Sequence, residues 1–318
     1  MGEGASPAGD DDALLRRELR RGAIPVEVRL AADEVADVSP PPPLFALVPR
    51  SAYLPIWHDG PVGDDDAVDV PTPRTHFAPH LAPGRDASAP WFDHEGLPLR
   101  WNLPVGILRD LCAAPDADGG APWRLTVHYR AFDDATDSAE NADGAMFSCG
   151  VGAEQPRDVA RAHFFNSLKE AVFVAKGSAS GVQGLSRRAR ADLWRSVVTG
   201  DGSLALAAED ELGMRATAAF KRVPMRLYVR RGGRTDATGG RGGDTAGATM
   251  MRGWGEVTTT SAPATIGATL REALEELGAR GAHRATVEGV DVDLETTLET
   301  LHGAMRGSDQ FLHVCVWM

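Results

Sequence analysis

The chain has 318 residues, 43% hydrophobic and 25% charged, with a formal net charge of −12 at pH 7. This mix excludes a wholly disordered chain or a collagen, and the length suits two or three small domains. The acidic balance argues against a general nucleic-acid binder, which needs a basic face for phosphate, and no run of about 18 apolar residues offers a transmembrane helix.

Residues 1–12 are acidic and small. They read as a disordered tail without the apolar segment a secretory signal needs. Their Met-Gly-Glu-Gly-Ala-Ser start meets the loose N-myristoylation pattern, as any Met-Gly start with a later Ser does. Residues 13–22 read as a short N-terminal helix ended by Gly22.

Residues 23–131 then carry a recognisable order. Ile24–Leu30 alternates as a strand, with Ile24, Val26, Val28 and Leu30 on one face. Pro40–Pro43 breaks the chain, Leu44–Val48 is a short apolar run, and Pro49–Trp57 turns into a packed loop or short helix. Residues 60–90, rich in Asp, Pro and Gly, read as a long surface loop. Trp91–His94 and Leu97–Asn102 form a strand pair across the turn dipeptide Glu95-Gly96. Pro104–Cys112 is a helix opened by proline, and Trp123–Tyr129 another strand. Strand, strand, helix, strand is the β-grasp order of ubiquitin-like domains.

Residues 132–155 read as a linker and residues 156–219 as a helix-rich domain. One helix runs from Pro156 to Lys176, a second from Ser186 as N-cap to Val198, and Asp201–Ala219 is helical in part. Residues 220–318 repeat the first pattern. Arg222–Arg230 is a strand, residues 231–255 a Gly-rich insertion, and Thr265–Leu277 an amphipathic helix. Arg284–Val290 is a strand, Leu294–Met305 a short helix and Phe311–Trp317 a final strand. The expected fold class is α+β: two ubiquitin-like β-grasp domains flanking a helix-rich domain.

Catalytic chemistry does not assemble. His76 and His80 lie four apart, but the intervening Phe77-Ala78-Pro79 forbids a helix interior, so the metal-ligand spacing loses its meaning. Cys149 with His163 would need a geometry that spacing cannot give. His128 and His313 sit inside strand patterns and read as structural. No nucleophile-elbow, Walker or Rossmann signature occurs. No catalytic residue, metal or cofactor is expected. Cys112, Cys149 and Cys315 have neither disulfide nor zinc spacing and suit a reducing compartment.

The lysines are the unusual feature. Of 33 Lys and Arg, only Lys169, Lys176 and Lys221 are lysines. A position that needs a primary amine does not accept arginine, because guanidinium stays protonated and is a poor nucleophile. Phe165, Leu168, Ala171, Val172 and Ala175 share one face of the Pro156–Lys176 helix. Lys169 lies about 100° around from Leu168, on the edge of that face with Asn166, Phe173 and Lys176. The flank reads either as a docking surface with an amine in it or as a solvated lysine whose stem covers apolar surface. Lys176 fits a cation at a helix C-terminus.

In chain order, several segments resemble those of one family. They begin with Gly22-Ala23-Ile24-Pro25, Pro40-Pro41-Pro42-Pro43 and Pro49-Arg50-Ser51-Ala52-Tyr53-Leu54. Trp91-Phe92-Asp93-His94-Glu95-Gly96-Leu97-Pro98-Leu99-Arg100-Trp101, Pro104-Val105-Gly106-Ile107-Leu108 and Pro122-Trp123-Arg124-Leu125-Thr126-Val127-His128 follow. Phe165-Asn166-Ser167-Leu168-Lys169-Glu170-Ala171, Val223-Pro224-Met225-Arg226-Leu227-Tyr228 and Phe311-Leu312-His313-Val314-Cys315 complete the set. The chain resembles autophagy protein 5, most closely its plant and green-algal members.

The resemblance implies a non-enzymatic subunit of a ligase-like complex. It implies that Lys169 is the isopeptide acceptor for the C-terminal glycine of autophagy protein 12, transferred by autophagy proteins 7 and 10. The conjugate would bind autophagy protein 16 and promote linkage of autophagy protein 8 to phosphatidylethanolamine. A cytoplasmic chain, peripheral at the preautophagosomal membrane, is implied. Glu170, beside the acceptor, is expected to orient or position it rather than catalyse. The chain departs from the family at Arg20-Arg21, where a large apolar residue is usual, so contacts of the first helix are expected to differ. It departs also at Thr297, Glu299 and Thr300, which predicts looser packing there. Arg187, Arg188 and Arg190 form a basic cluster that suits a solvated helix face or anionic lipid. The alternatives to a conjugation scaffold are a non-covalent β-grasp adaptor and an enzyme using Lys169 as a Schiff-base amine, which would need a closed pocket.

Overall fold

A computed structural model describes residues 7–59, 72–85, 90–112, 121–132, 156–214, 220, 222–230, 260–265 and 267–318. The first helix, α1, spans Pro7–Arg20. It begins six residues earlier than the tail reading allowed. Pro7 fits a first turn where its missing N–H costs nothing, and Asp11 and Asp12 sit near the positive end of the helix dipole.

The first sheet contains β1 (Ala23–Leu30) and β2 (Leu44–Pro49), followed by the short helices α2 (Leu54–Asp59) and α3 (Pro73–Phe77). It continues with β3 (Trp91–His94), β4 (Leu97–Pro98), helix α4 (Val105–Cys112) and β5 (Trp123–His128). Strand order is β2-β1-β5-β3-β4, with β1 parallel to β5 and its other neighbour antiparallel. That is the β-grasp arrangement, with α4 on one face. Ile24, Val26, Val28 and Leu30 are all buried there with Leu108 and Leu111. Two expectations are corrected. The stretch read as a surface loop contains α3, capped by Thr72, and Phe77 is fully buried. The strand expected over Leu97–Asn102 ends at Pro98, which as a proline cannot extend the ladder on its N–H side.

The helical region comprises α5 (Pro156–Lys176), α6 (Ser180–Gly184), α7 (Arg187–Thr199) and α8 (Leu206–Glu211). Ser186 caps α7 by accepting from Ala189 N–H, and Gly200 ends it at φ 74°. Phe164, Leu168 and Val172 of α5 share one buried core with Leu193 and Val197 of α7.

The second sheet has β6 (Val223–Arg230), β7 (Thr260–Ala264), helix α9 (Leu270–Glu276), β8 (Arg284–Val287), β9 (Val290–Val292), helix α10 (Leu298–Met305) and β10 (Leu312–Trp317). Its order, β7-β6-β10-β8-β9, repeats the first. Three expectations change here. The helix expected from Thr265 starts at Leu270, where Thr269 and Glu272 form a reciprocal capping box after Gly267 at φ 89°. The expected single strand Arg284–Val290 is a hairpin turned at Glu288 (φ 51°) and Gly289 (φ 76°). The helix expected from Leu294 starts after Thr297, which caps it. Thr297 thereby replaces the expected loosening with a helix start, and Leu298 and Leu301 are buried. The linker reading (133–155) and the Gly-rich insertion (231–255) lie outside the described residues.

The second sheet is buried on both faces. Leu227 and Val314 face α9 and α10, while Tyr228, Cys315 and Trp317 join the core of the first domain. Arginines knit the three regions together. Arg50 pairs with Asp110 of α4 and lies 3.7 Å from Glu288 of the second domain. Glu209 of α8 receives three buried guanidiniums: Arg20 at 2.8 Å and Arg16 and Arg306 at 3.3 Å each. Burial alone would raise the Glu209 pKa, but Arg20, Arg306 and Arg16 hold it at about 2. Arg20, where the family resemblance would put an apolar residue, is therefore an internal ion-pair partner. Arg16 also donates to the Gly303 carbonyl, which fastens α1 to α10.

Candidate functional site

The 21 residues of α5 place nine side chains inward, including Phe165, Leu168, Ala171, Val172 and Ala175. These are the positions that 3.6-residue spacing selects. Lys169 stands at the edge of this stripe, half-buried along its stem. Its Nζ donates to Asn166 Oδ1 at 3.3 Å in an exposed contact. Phe173, one turn on, is 58% exposed. Stem cover and an accessible amine thus coexist at one residue.

The other lysines differ. Lys176 Nζ donates to the Leu212 carbonyl just beyond α8, so its amine is held by the bundle. Lys221 lies outside the described residues.

Lys169 opens onto a shallow depression between α5 and α7, lined by Asp158, Arg161, Phe165, Asn166 and Arg190. Arg161 and Arg190, from the two helices, lie over the Phe165 ring at 6.0 and 5.1 Å. Arg161, Phe165 and Lys169 follow each other at four-residue intervals, so helical spacing could have found Arg161. Arg190 belongs to another helix and no local signal points to it. Its guanidinium also donates to the Val182 carbonyl at 2.8 Å. Arg190 is thus turned from the exposed basic cluster expected of Arg187, Arg188 and Arg190; the first two remain exposed.

Glu170 accepts from Arg226 of β6 at 3.0 Å. It ties α5 to the second sheet and points away from the role of orienting the lysine.

The remaining sequence candidates are structural or separate. His76 Nε2 meets the Pro42 carbonyl at 2.9 Å. Among the described residues no group of three His, Cys, Asp or Glu could hold a metal ion. His163 packs edge-on against Tyr53 and Trp101, and burial together with Arg226 lowers its pKa. Cys149 lies outside the described residues. His128 stacks on Trp91 at 3.7 Å and bonds Asp93 at 2.6 Å. His313 bridges the Tyr228 hydroxyl (2.9 Å) and Asp309 (3.0 Å) inside the core. Among the described residues no helix is long and apolar enough to cross a membrane.

Three models of one family match the chain in order. They are described as Autophagy protein ATG5, UblA domain, over residues 19–129; its alpha-helical bundle region over 157–203; and its UblB domain over 222–316. Autophagy protein 5 of Oryza sativa subsp. indica is 33% identical over 251 residues, covering 70% of this chain and 58% of the rice protein. Autophagy protein 5 of Arabidopsis thaliana is 34% identical over 181 residues, covering 57% and 44%. These matches span about half the length of the curated relatives. A solved structure, "Crystal structure of Kluyveromyces marxianus Atg5", superposes with a TM-score of 0.68 at 17% identity, covering 95% of this chain and 98% of that one, a likeness of fold. With two ubiquitin-like domains around a helical bundle, and family matches to all three in sequence order, the chain belongs to the autophagy protein 5 family.

Proposed function

We propose that this chain is a conjugation scaffold of autophagy and a non-catalytic subunit of a ligase-like complex. Lys169 accepts the C-terminal glycine of autophagy protein 12, delivered by autophagy proteins 7 and 10. The conjugate binds autophagy protein 16 and promotes transfer of autophagy protein 8 to phosphatidylethanolamine. It works in the cytoplasm and at the surface of the preautophagosomal membrane.

The observation that carries this reading is the open setting of Lys169. Its amine meets solvent beside a depression, bonded only weakly to Asn166, as an acceptor approached by a large donor requires. A Schiff-base enzyme would need the opposite, a closed pocket around the amine.

In the transfer, the Nζ lone pair attacks the thioester carbonyl of the donor. A C–N bond forms, the C–S bond breaks, and the sulfur leaves as thiolate. The amine gives up its proton in the process. A lysine is ordinarily protonated at pH 7, so the donor enzyme must supply the base.

The test is a reconstituted conjugation with activating enzyme, conjugating enzyme, modifier and ATP, run on a denaturing gel. Wild type should give a shifted band and Lys169→Arg none. No band for wild type with active partners would favour the non-covalent adaptor. A band surviving in Lys169→Arg would move the acceptor to Lys176 or Lys221.

A further inference from the structure

The arginines of this protein fall into two groups. Arg16, Arg20 and Arg306 are buried, Arg50 and Arg226 largely so, and each has a carboxylate partner. Arg161 and Arg190, beside Lys169, have none among the described residues. The Arg190 guanidinium lies 5.1 Å from the centre of the Phe165 ring, and that of Arg161 lies 6.0 Å from both Phe165 and Trp194. Three cations and the single carboxylate of Asp158 share one depression, in a chain whose net charge is −12.

Arg161 makes no hydrogen bond among the described residues, and Arg190 spends one Nη–H on the Val182 carbonyl at 2.8 Å, so both keep N–H groups for a planar acceptor. The bond to Val182 and the contact with Phe165 fix the direction of Arg190, so less freedom is lost on binding. The two side chains come from different helices and lean toward one ring. This arrangement suits a carboxylate brought from outside.

We propose that Arg161 and Arg190 form an anion-recognition subsite that docks an acidic segment of the conjugating enzyme next to Lys169. The proposal rests on the reading of Lys169 as acceptor and adds the chemistry of what meets it. Charge complementarity names the occupant. The surface around the amine is locally cationic, so an acidic segment is drawn to it and a basic one repelled. The subsite would act before the covalent step by raising the occupancy of the encounter complex.

The experiment measures initial conjugation rates with full-length chain at donor concentrations from limiting to saturating. Arg161→Glu is the first variant, because this exposed residue makes no hydrogen bond that folding needs. Arg161→Glu/Arg190→Glu is the second, and Arg187→Glu/Arg188→Glu changes charge equally on α7 outside the depression. The expected result is a fall of about tenfold at limiting donor for the double variant, and a smaller one for Arg161→Glu. Rates should converge at saturating donor, and Arg187→Glu/Arg188→Glu should behave as wild type. Raising salt should slow wild type toward the double variant.

Equal rates for wild type and Arg161→Glu at limiting donor and low salt would overturn the subsite. So would an equal loss in Arg187→Glu/Arg188→Glu, which would make the effect one of overall charge. A wild type that gives no conjugate at all would remove the acceptor reading, and the subsite with it.

Discussion

Arg226 and Glu170 meet at 3.0 Å across the seam between the helical bundle and the second sheet, one residue from the proposed acceptor. Arg226 also lies over Phe311 at 4.1 Å and reaches Asp309 at 4.0 Å. The two partners are unequal. Glu170 is 46% exposed and Arg226 12%.

This asymmetry predicts unequal losses. Glu170→Gln should cost under about 1 kcal/mol, as exposed pairs do, and keep conjugation within about twofold. Arg226→Ala should cost about 3 kcal/mol, because it strips a buried ring and a buried carboxylate together. Urea unfolding separates the two. Equal losses would mean that the pair, not the seam, sets the stability.

The Glu209 cluster predicts a larger effect. Glu209→Gln leaves Arg16, Arg20 and Arg306 facing each other without their anion. A loss of about 3–5 kcal/mol is expected, with α1 becoming sensitive to protease first. The folded pKa of about 2 lies below the ordinary 4.5. The carboxylate's contribution is therefore complete above about pH 4.5 and lost as pH falls toward 2. Chemical denaturation at stepped pH would show this, and wild type that held constant stability down to pH 2.5 would contradict it.

His302 titrates in another window. It is fully buried, its Nε2 contacts the Gln310 carbonyl at 3.0 Å, and burial with the nearby Arg306 pushes its pKa to about 3. The unfolded chain protonates this imidazole near 6.5 and the folded one resists. Its stabilising effect is thus full above pH 6.5 and declines by about 1.4 kcal/mol per pH unit below it. His302→Gln should remove one proton's worth of that slope between pH 6 and 4. An unchanged slope would show that His302 is charged in the fold.

Gly200 ends α7 at φ 74°, and an added Cβ would sit 3.1 Å from Pro49 Cβ and 3.2 Å from the Arg20 carbonyl. Gly200→Ala should cost about 1–2 kcal/mol. Gly184→Ala, with open space around it, should be neutral in the same thermal melt.

The sheets were legible where apolar residues alternate. Ile24–Leu30 follows period 2 because its apolar face meets a helix, and Phe311–Trp317 stands out as a nearly continuous apolar run because both its faces are buried. β7 (Thr-Ser-Ala-Pro-Ala) has no such period. It is an edge strand, where proline is tolerated and pairing demands no apolar pattern. Two identical dipeptides make a sharper contrast. Glu95-Gly96 and Glu288-Gly289 turn their hairpins with nearly the same backbone, φ 53° and 82° against 51° and 76°. Each joins two paired strands directly; the first stands out because Asp93-His94 and Pro98 interrupt the apolar pattern around it, whereas Val287 and Val290 flank the second and read as one continuing strand. At the candidate site, the flank of Lys169 follows from helix spacing alone. Arg190 beside it does not, since only the packing of two helices joins them. The buried arginines were equally silent, because charge in a sequence signals surface unless its partner, here 97 to 193 residues away, is known.

The clasp between α1 and α10 sets an order of events during synthesis. Arg16 and the Gly303 carbonyl are 287 residues apart. The first helix therefore waits, with its guanidiniums in water, while nearly the whole chain leaves the ribosome. Each ubiquitin-like sheet can close on its own strands as they emerge. The junction that binds the three regions into one body is among the last contacts to form, so a chain stalled before residue 303 would hold a finished first sheet but would lack both this junction and β10, the central strand of the second sheet.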